Sequence, residues 1–121
     1  MYSIHEDEVE LKQLKGRSYK LLGSEDTIGC KNLNMGISFF PPGWHAPGHI
    51  HETEEKVVYC MEGAGELVID GKPEEIRPGT VVCMPPKSLH SVNNTGQETI
   101  KLLFMFSPPV QVGQYKNHES K

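Results

Sequence analysis

Apolar positions in this chain come in short bursts separated by turn formers. Leu33 to Phe40, Val57 to Met61, Glu66 to Ile69, Thr80 to Met84 and Thr99 to Phe106 alternate or run apolar, and each is too short for an ordinary helix. Between them lie Pro41-Pro42-Gly43, Gly63-Ala64-Gly65, Pro78-Gly79, Pro85-Pro86 and Asn93-Asn94-Thr95-Gly96. That punctuation predicts strands. Asp70-Gly71, between Glu66-Leu67-Val68-Ile69 and Glu75-Ile76-Arg77, predicts a hairpin, because a type I′ turn needs positive φ at both central positions. The pattern is that of an all-β, antiparallel domain. So many strands in so short a chain avoid long open edges by closing into a jelly-roll β-barrel. Glu6 to Lys15 is the one stretch with the makings of a short helix. Ser18-Tyr19-Lys20-Leu21-Leu22 alternates and is expected to serve as an edge strand that adds to a neighbour in a twofold homodimer.

A chain of 121 residues buries one core, so a single domain is expected. It divides into an N-terminal segment, 1–24, carrying the edge strand, a barrel, 25–110, and a C-terminal tail, 111–121. Lys and Arg number 12 against 16 acidic residues, a net charge of −4 with no basic run, which argues against nucleic acid as a partner. The acidic start MYSIHEDEVE and the lack of a long apolar stretch predict a cytoplasmic protein without membrane contact. Cys30, Cys60 and Cys83 form no CxxC or CxC pair and read as reduced thiols.

The chemistry is concentrated in two places. His45, His49 and His51, half of the six histidines, fall within Trp44 to Glu55. On an extended chain residues two apart leave the same face, with Cα atoms roughly 6.5 to 7 Å apart, so the imidazoles of His49 and His51 can converge on one ion. A carboxylate from the run Glu52-Thr53-Glu54-Glu55 can join the same sphere. The second place, Gly79 to Asn94, offers a further histidine, His90. The bland alternatives are histidines held by hydrogen bonds and a solvated acidic run.

Both places carry motifs that resemble those of the cupin family, G(X)5HXH(X)3,4E(X)6G followed by G(X)5PXG(X)2H(X)3N. Gly43, His49, His51 and Glu55 match the first, and Gly79, Pro85, His90 and Asn94 match the second. The resemblance implies that His49, His51, Glu55 and His90 are metal ligands. Two departures qualify it. Glu55 is one residue too far from the closing Gly63, so that Lys56 stands where a glutamate would when counted backwards. A β-bulge near Glu54 to Lys56 would absorb the extra residue and keep Glu55 turned inward, ahead of Glu54 or Glu52 as the ligand. Lys87 replaces the usual glycine of the second motif, which predicts a turn without positive φ there.

What the resemblance implies is one divalent ion, of Mn, Fe, Ni or Zn, with positions left open for a ligand. The expected function is redox-neutral catalysis of the isomerase, lyase or decarboxylase type on a small oxygenated metabolite that chelates the ion. An iron-dependent dioxygenase and a non-catalytic module that binds a small sugar or acid are the alternatives. An ordinary imidazole exchanges its proton near neutral pH, so His45, which the motif leaves unassigned, is expected at the cavity mouth as general acid or base. Trp44, Phe39, Cys60 and Cys83 read as core, and Arg77 and Lys87 as surface.

Overall fold

The computed structural model describes residues 2–46 and 48–110; the tail 111–121 lies outside the described residues. Among the described residues, ten strands form two antiparallel sheets: β1 (Lys12–Gln13), β2 (Ser18–Gly23), β3 (Asn34–Phe40), β4 (His49–Ile50), β5 (Glu55–Glu62), β6 (Gly65–Ile69), β7 (Lys72–Ile76), β8 (Val81–Met84), β9 (Leu89–Asn93) and β10 (Ile100–Ser107). One sheet runs β1-β2-β3-β10-β5-β8 and the other β4-β9-β6-β7. The architecture is the expected antiparallel jelly roll. The core lies between the sheets, where Val58 and Cys60 of β5 meet Leu102, Phe104 and Phe106 of β10 and Leu67 of β6. Full burial of an aliphatic or aromatic side chain contributes about 1.5–3 kcal/mol, so this alternation fixes which face of each strand turns inward.

The β6–β7 hairpin turns as the sequence predicts: Asp70 and Gly71 have φ of 49° and 81°, and Ile69 pairs with Lys72. The N-terminal region differs from expectation. Glu6 to Lys15 makes no α-helix; a single 3₁₀ turn at Glu6–Glu8 gives way to β1. The reason is a tight reversal at Gly16, whose φ of 81° lets the Leu14 amide donate to the Arg17 carbonyl at 2.7 Å and pairs Lys12 with Tyr19. Ser18 to Leu22 is not an open edge either. β2 lies between β1 and β3 and is consumed by its own sheet, which removes the edge-strand argument for a dimer. One helical turn, α1 (Glu25–Ile28), has no periodic signal in the sequence; it is held by Ser24 and Thr27 side chains and stopped by Gly29 at φ 76°.

The extra residue of the first motif is absorbed away from the acidic run. Along β5 and β10, Leu102 pairs with Cys60 and Lys101 with Glu62, so Met61 is the bulged residue. From Lys56 to Cys60 the alternation is therefore unbroken, with Lys56, Val58 and Cys60 inward and Glu55 exposed.

Asn94 ties the segment after β9 to the end of β3. Its side chain is fully buried, its Nδ2 donates to the carbonyls of Phe40 at 2.9 Å and Glu98 at 2.8 Å, and its Oδ1 accepts from the Gly96 amide at 3.0 Å. Asn94→Ala leaves those backbone groups without partners and is expected to cost about 2–3 kcal/mol in chemical denaturation. A loss under about 0.5 kcal/mol would mean that water replaces all three bonds.

Candidate metal centre

Antiparallel pairing sets His49 of β4 directly opposite His90 of β9, which brings their ring centroids to 4.4 Å. His51 follows β4 on the same parity as His49, with its ring 5.2 Å from His49 and 5.3 Å from His90, and its edge against Phe106 at 4.8 Å. One ring nitrogen from each histidine lies within 4.8 Å of the others. His49 is driven far toward the neutral form, by burial first and then by Lys56, His90, His51 and Arg17. Neutral imidazole is the form that binds a metal.

The surrounding groups orient the rings. His90 Nδ1 is 3.3 Å from the Ser88 carbonyl oxygen, which can only accept, so Nδ1 carries the proton and Nε2 is the basic atom. The Lys87 amide donates to the His51 carbonyl at 2.8 Å. This bond comes from an unexpected conformation: Lys87 has φ of 70°, left-handed, so the loop keeps the backbone that a glycine would have adopted at a cost of about 1–2 kcal/mol. The second-motif loop thus fixes one histidine through its amide and another through its carbonyl.

The acidic run divides differently from the sequence expectation. Glu55 heads β5 on the outer face, opposite Ser107 and beside Cys83, whose thiol burial, and secondly Glu55, pushes up. Cys83, expected in the core, is exposed. Glu54 is the inward carboxylate, 5% exposed, with Oε1 3.8 Å from His51 Nδ1 and Oε2 accepting from Thr53 Oγ1 at 2.8 Å. The structure therefore brings His49, His51 and His90 together, leaves Glu55 outside the cluster and sets the Glu54 carboxylate beside the His51 ring. A carboxylate behind a ligating histidine holds the ring's orientation and raises its basicity.

Beside the rings of His49 and His90 opens a cavity of about 960 Å³, walled by Phe40, Val58, Met84 and Phe104. His45 lines its exposed rim, paired with Asn93 through an isolated bridge, with Nδ1 3.2 Å from Asn93 Oδ1. An amide oxygen accepts, so this contact protonates Nδ1 and leaves Nε2 as the proton-accepting atom. Trp44, half-buried, also lines the cavity, and Gly16 passes so close beneath it that a Cβ there would sit 2.5 Å from the indole.

The cupin domain profile matches residues 36–106, more than half of the chain. The chain belongs to the cupin family. Among curated cupin relatives, "Polyketide synthase CurC" of Streptomyces cyaneus is 29% identical over 101 residues, covering 84% of this chain and 66% of that protein. This chain thus spans just under two thirds of that relative's length. Among solved structures, ectoine synthase from P. lautus superposes with a TM-score of 0.82 at 20% identity over 99% of this chain and 87% of that one. KdgF from Halomonas sp. superposes with a TM-score of 0.78 at 19% identity over 93% and 96%. At such identities these likenesses establish the cupin jelly roll alone. The three-histidine cluster fits the metal site of a cupin. None of the described helices is long and apolar enough to cross a membrane.

Two cavity residues escaped the sequence reading of this cupin. Arg17, 5% exposed, stacks 4.9 Å over Phe40 and lines the cavity. Lys56, 8% exposed, reaches inward with Nζ 5.0 Å from the Phe106 ring and 6.0 Å from Phe104. Burial, and secondly Arg17, lowers the Lys56 ammonium to about 7. For Arg17 the signal was parity, two residues before the buried Tyr19; for Lys56 it was the count back from Gly63.

Proposed function

We propose that this cupin is a metal-dependent, redox-neutral enzyme of the isomerase, lyase or decarboxylase type, acting on a small oxygenated metabolite. The observation that carries the reading is the convergence of His49, His51 and His90, two of which line a cavity whose exposed rim bears His45. His49, His51 and His90 would hold the ion, with Glu54 orienting His51. A divalent ion held there supplies Lewis-acid polarisation of a substrate oxygen. The ectoine synthase of the fold comparison is, by its name, an enzyme of this scaffold.

The rest of the chemistry falls to side chains of the chain. His45 Nε2 exchanges a proton with substrate at the rim while Asn93 fixes the ring. The apolar wall excludes water from the reacting atoms and strengthens every polar contact made there. Met84 lines the same cavity with an oxidisable thioether, which favours chemistry that releases no reactive oxygen.

The test loads the protein separately with Mn(II), Fe(II), Ni(II) and Zn(II) and screens keto acids, hydroxy acids and aldoses with and without dioxygen. Turnover that needs metal and ignores dioxygen is expected, and a strict dioxygen requirement would replace the reading with a dioxygenase. Metal below about a tenth of an equivalent after reconstitution, with ligand binding intact, would make the protein a binding module. With a substrate in hand, His45→Ala is expected to keep its metal and to lose on the order of 10²-fold in turnover. Unchanged turnover would make His45 a surface residue.

A further inference from the structure

The charge on the cavity wall is one-sided. Among the described residues that line it, Lys15, Arg17 and Lys56 carry positive charge and none is Asp or Glu. Glu54, the one buried carboxylate nearby, stands beside His51 rather than on the wall. Lys56 matters most. Its ammonium is buried over two aromatic faces, and no carboxylate among the described residues forms an ion pair with it. A cation in such a place is costly, and a ligand that brings the opposite charge recovers much of that cost.

Arg17 enters the same space from a different part of the chain. The reversal at Gly16, which packs against Trp44, carries it onto Phe40, and its charge is felt by both Lys56 and His49. The N-terminal segment and β5 thus each deliver one buried cation to the cavity beside the histidines. A planar guanidinium matches a planar carboxylate through parallel N–H donors, and an ammonium adds a compact point charge. Much of the remaining wall, Phe40, Val58, Met84, Leu102 and Phe104, is apolar and suits the carbon skeleton of a small acid better than a heavily hydrated dianion.

We propose that the ligand of this cavity carries a carboxylate, bound by Lys56 and Arg17 beside the three-histidine cluster. The assignment rests on the reading of the cavity as the substrate site, and it narrows the substrate from any oxygenated metabolite to a small carboxylic acid. Lys56 then does the opposite of what a glutamate at its place would do: it recruits an anion instead of supplying one.

The experiment uses calorimetry with three probes built on one phenyl ring, the isosteres benzoate and benzamide together with phenyl phosphate, on the protein as purified and after chelator treatment. Benzoate is expected to bind at least about tenfold more tightly than benzamide in both states, the scale of a charge-assisted hydrogen bond. Lys56→Met, which removes a buried charge and so folds readily, is expected to lose that preference while keeping its metal; Arg17→Gln should lose part of it. Equal binding of benzoate and benzamide, no benzoate binding, or a preference that survives Lys56→Met would overturn the proposal. Tighter binding of phenyl phosphate than of benzoate would overturn the carboxylate assignment in favour of a phosphate. Metal content measured on the same samples keeps the two readings apart. A wild-type protein that takes up no metal but discriminates benzoate from benzamide refutes the metal reading and supports this one.

Discussion

His51→Ala is expected to weaken metal binding by on the order of a hundredfold or more, and the glutamates around it should rank in an order opposite to the one that motif spacing suggests. His51 supplies one of three convergent ring nitrogens, so its loss leaves two imidazoles. Glu54→Gln keeps the shape and removes the charge 3.8 Å from His51 Nδ1. Loss of a carboxylate behind a ligating histidine typically costs about 10–100-fold in affinity. Glu55→Ala, on the outer face, should leave affinity within about twofold, the usual scatter of a surface substitution. Chelator competition followed by elemental analysis gives all three numbers, and thermal melts show whether each variant is folded. Were Glu55→Ala to lose as much metal as His51→Ala, the β5 register described above would be wrong and Glu55 would be a ligand.

The contrast between Glu54 and Glu55 also shows where sequence reasoning stops. Short apolar bursts and the Asp70-Gly71 turn sufficed for the all-β fold because strand length, turn chemistry and hairpin register are local properties. His49, His51 and His90 were legible because their spacing in two motifs is local too. The inward carboxylate was not, since parity along β5 depends on where an extra residue is accommodated. That is settled at Met61, seven residues beyond Glu54, by pairing with Lys101 and Leu102 on β10. No window around the acidic run contains that information. Lys87 misled for another reason: a lysine disfavours positive φ, yet the tertiary bond from its amide to His51 outweighs the local preference. Arg17 was hidden by composition, because Lys15-Gly16-Arg17-Ser18 reads as a solvated turn until Trp44 is known to cover it.

Lys56→Met is expected to stabilise the protein, most strongly at and below neutral pH. An unfolded lysine titrates near 10.5, whereas burial and the nearby Arg17 charge lower Lys56 to about 7 in the folded state. Between those two values the unfolded chain binds more protons than the folded one, so stability rises with pH across that window. Below about 7 both states are protonated and the penalty for the buried ammonium is present in full; above about 10.5 both are neutral and it vanishes. A displacement of this size corresponds to roughly 4 kcal/mol at pH 7, an upper figure because a relaxing interior or entering water reduces it. Methionine removes the charge and fills most of the space left over Phe104 and Phe106 with a thioether that packs well against aromatic rings. Urea unfolding of both proteins at pH 6, 7, 8 and 9 measures the difference. The stability gap should be largest at pH 6, begin to close near pH 7 and shrink by up to about 1.4 kcal/mol for each further pH unit. A gap that does not change with pH would mean that the Lys56 ammonium keeps its ordinary value and reaches water.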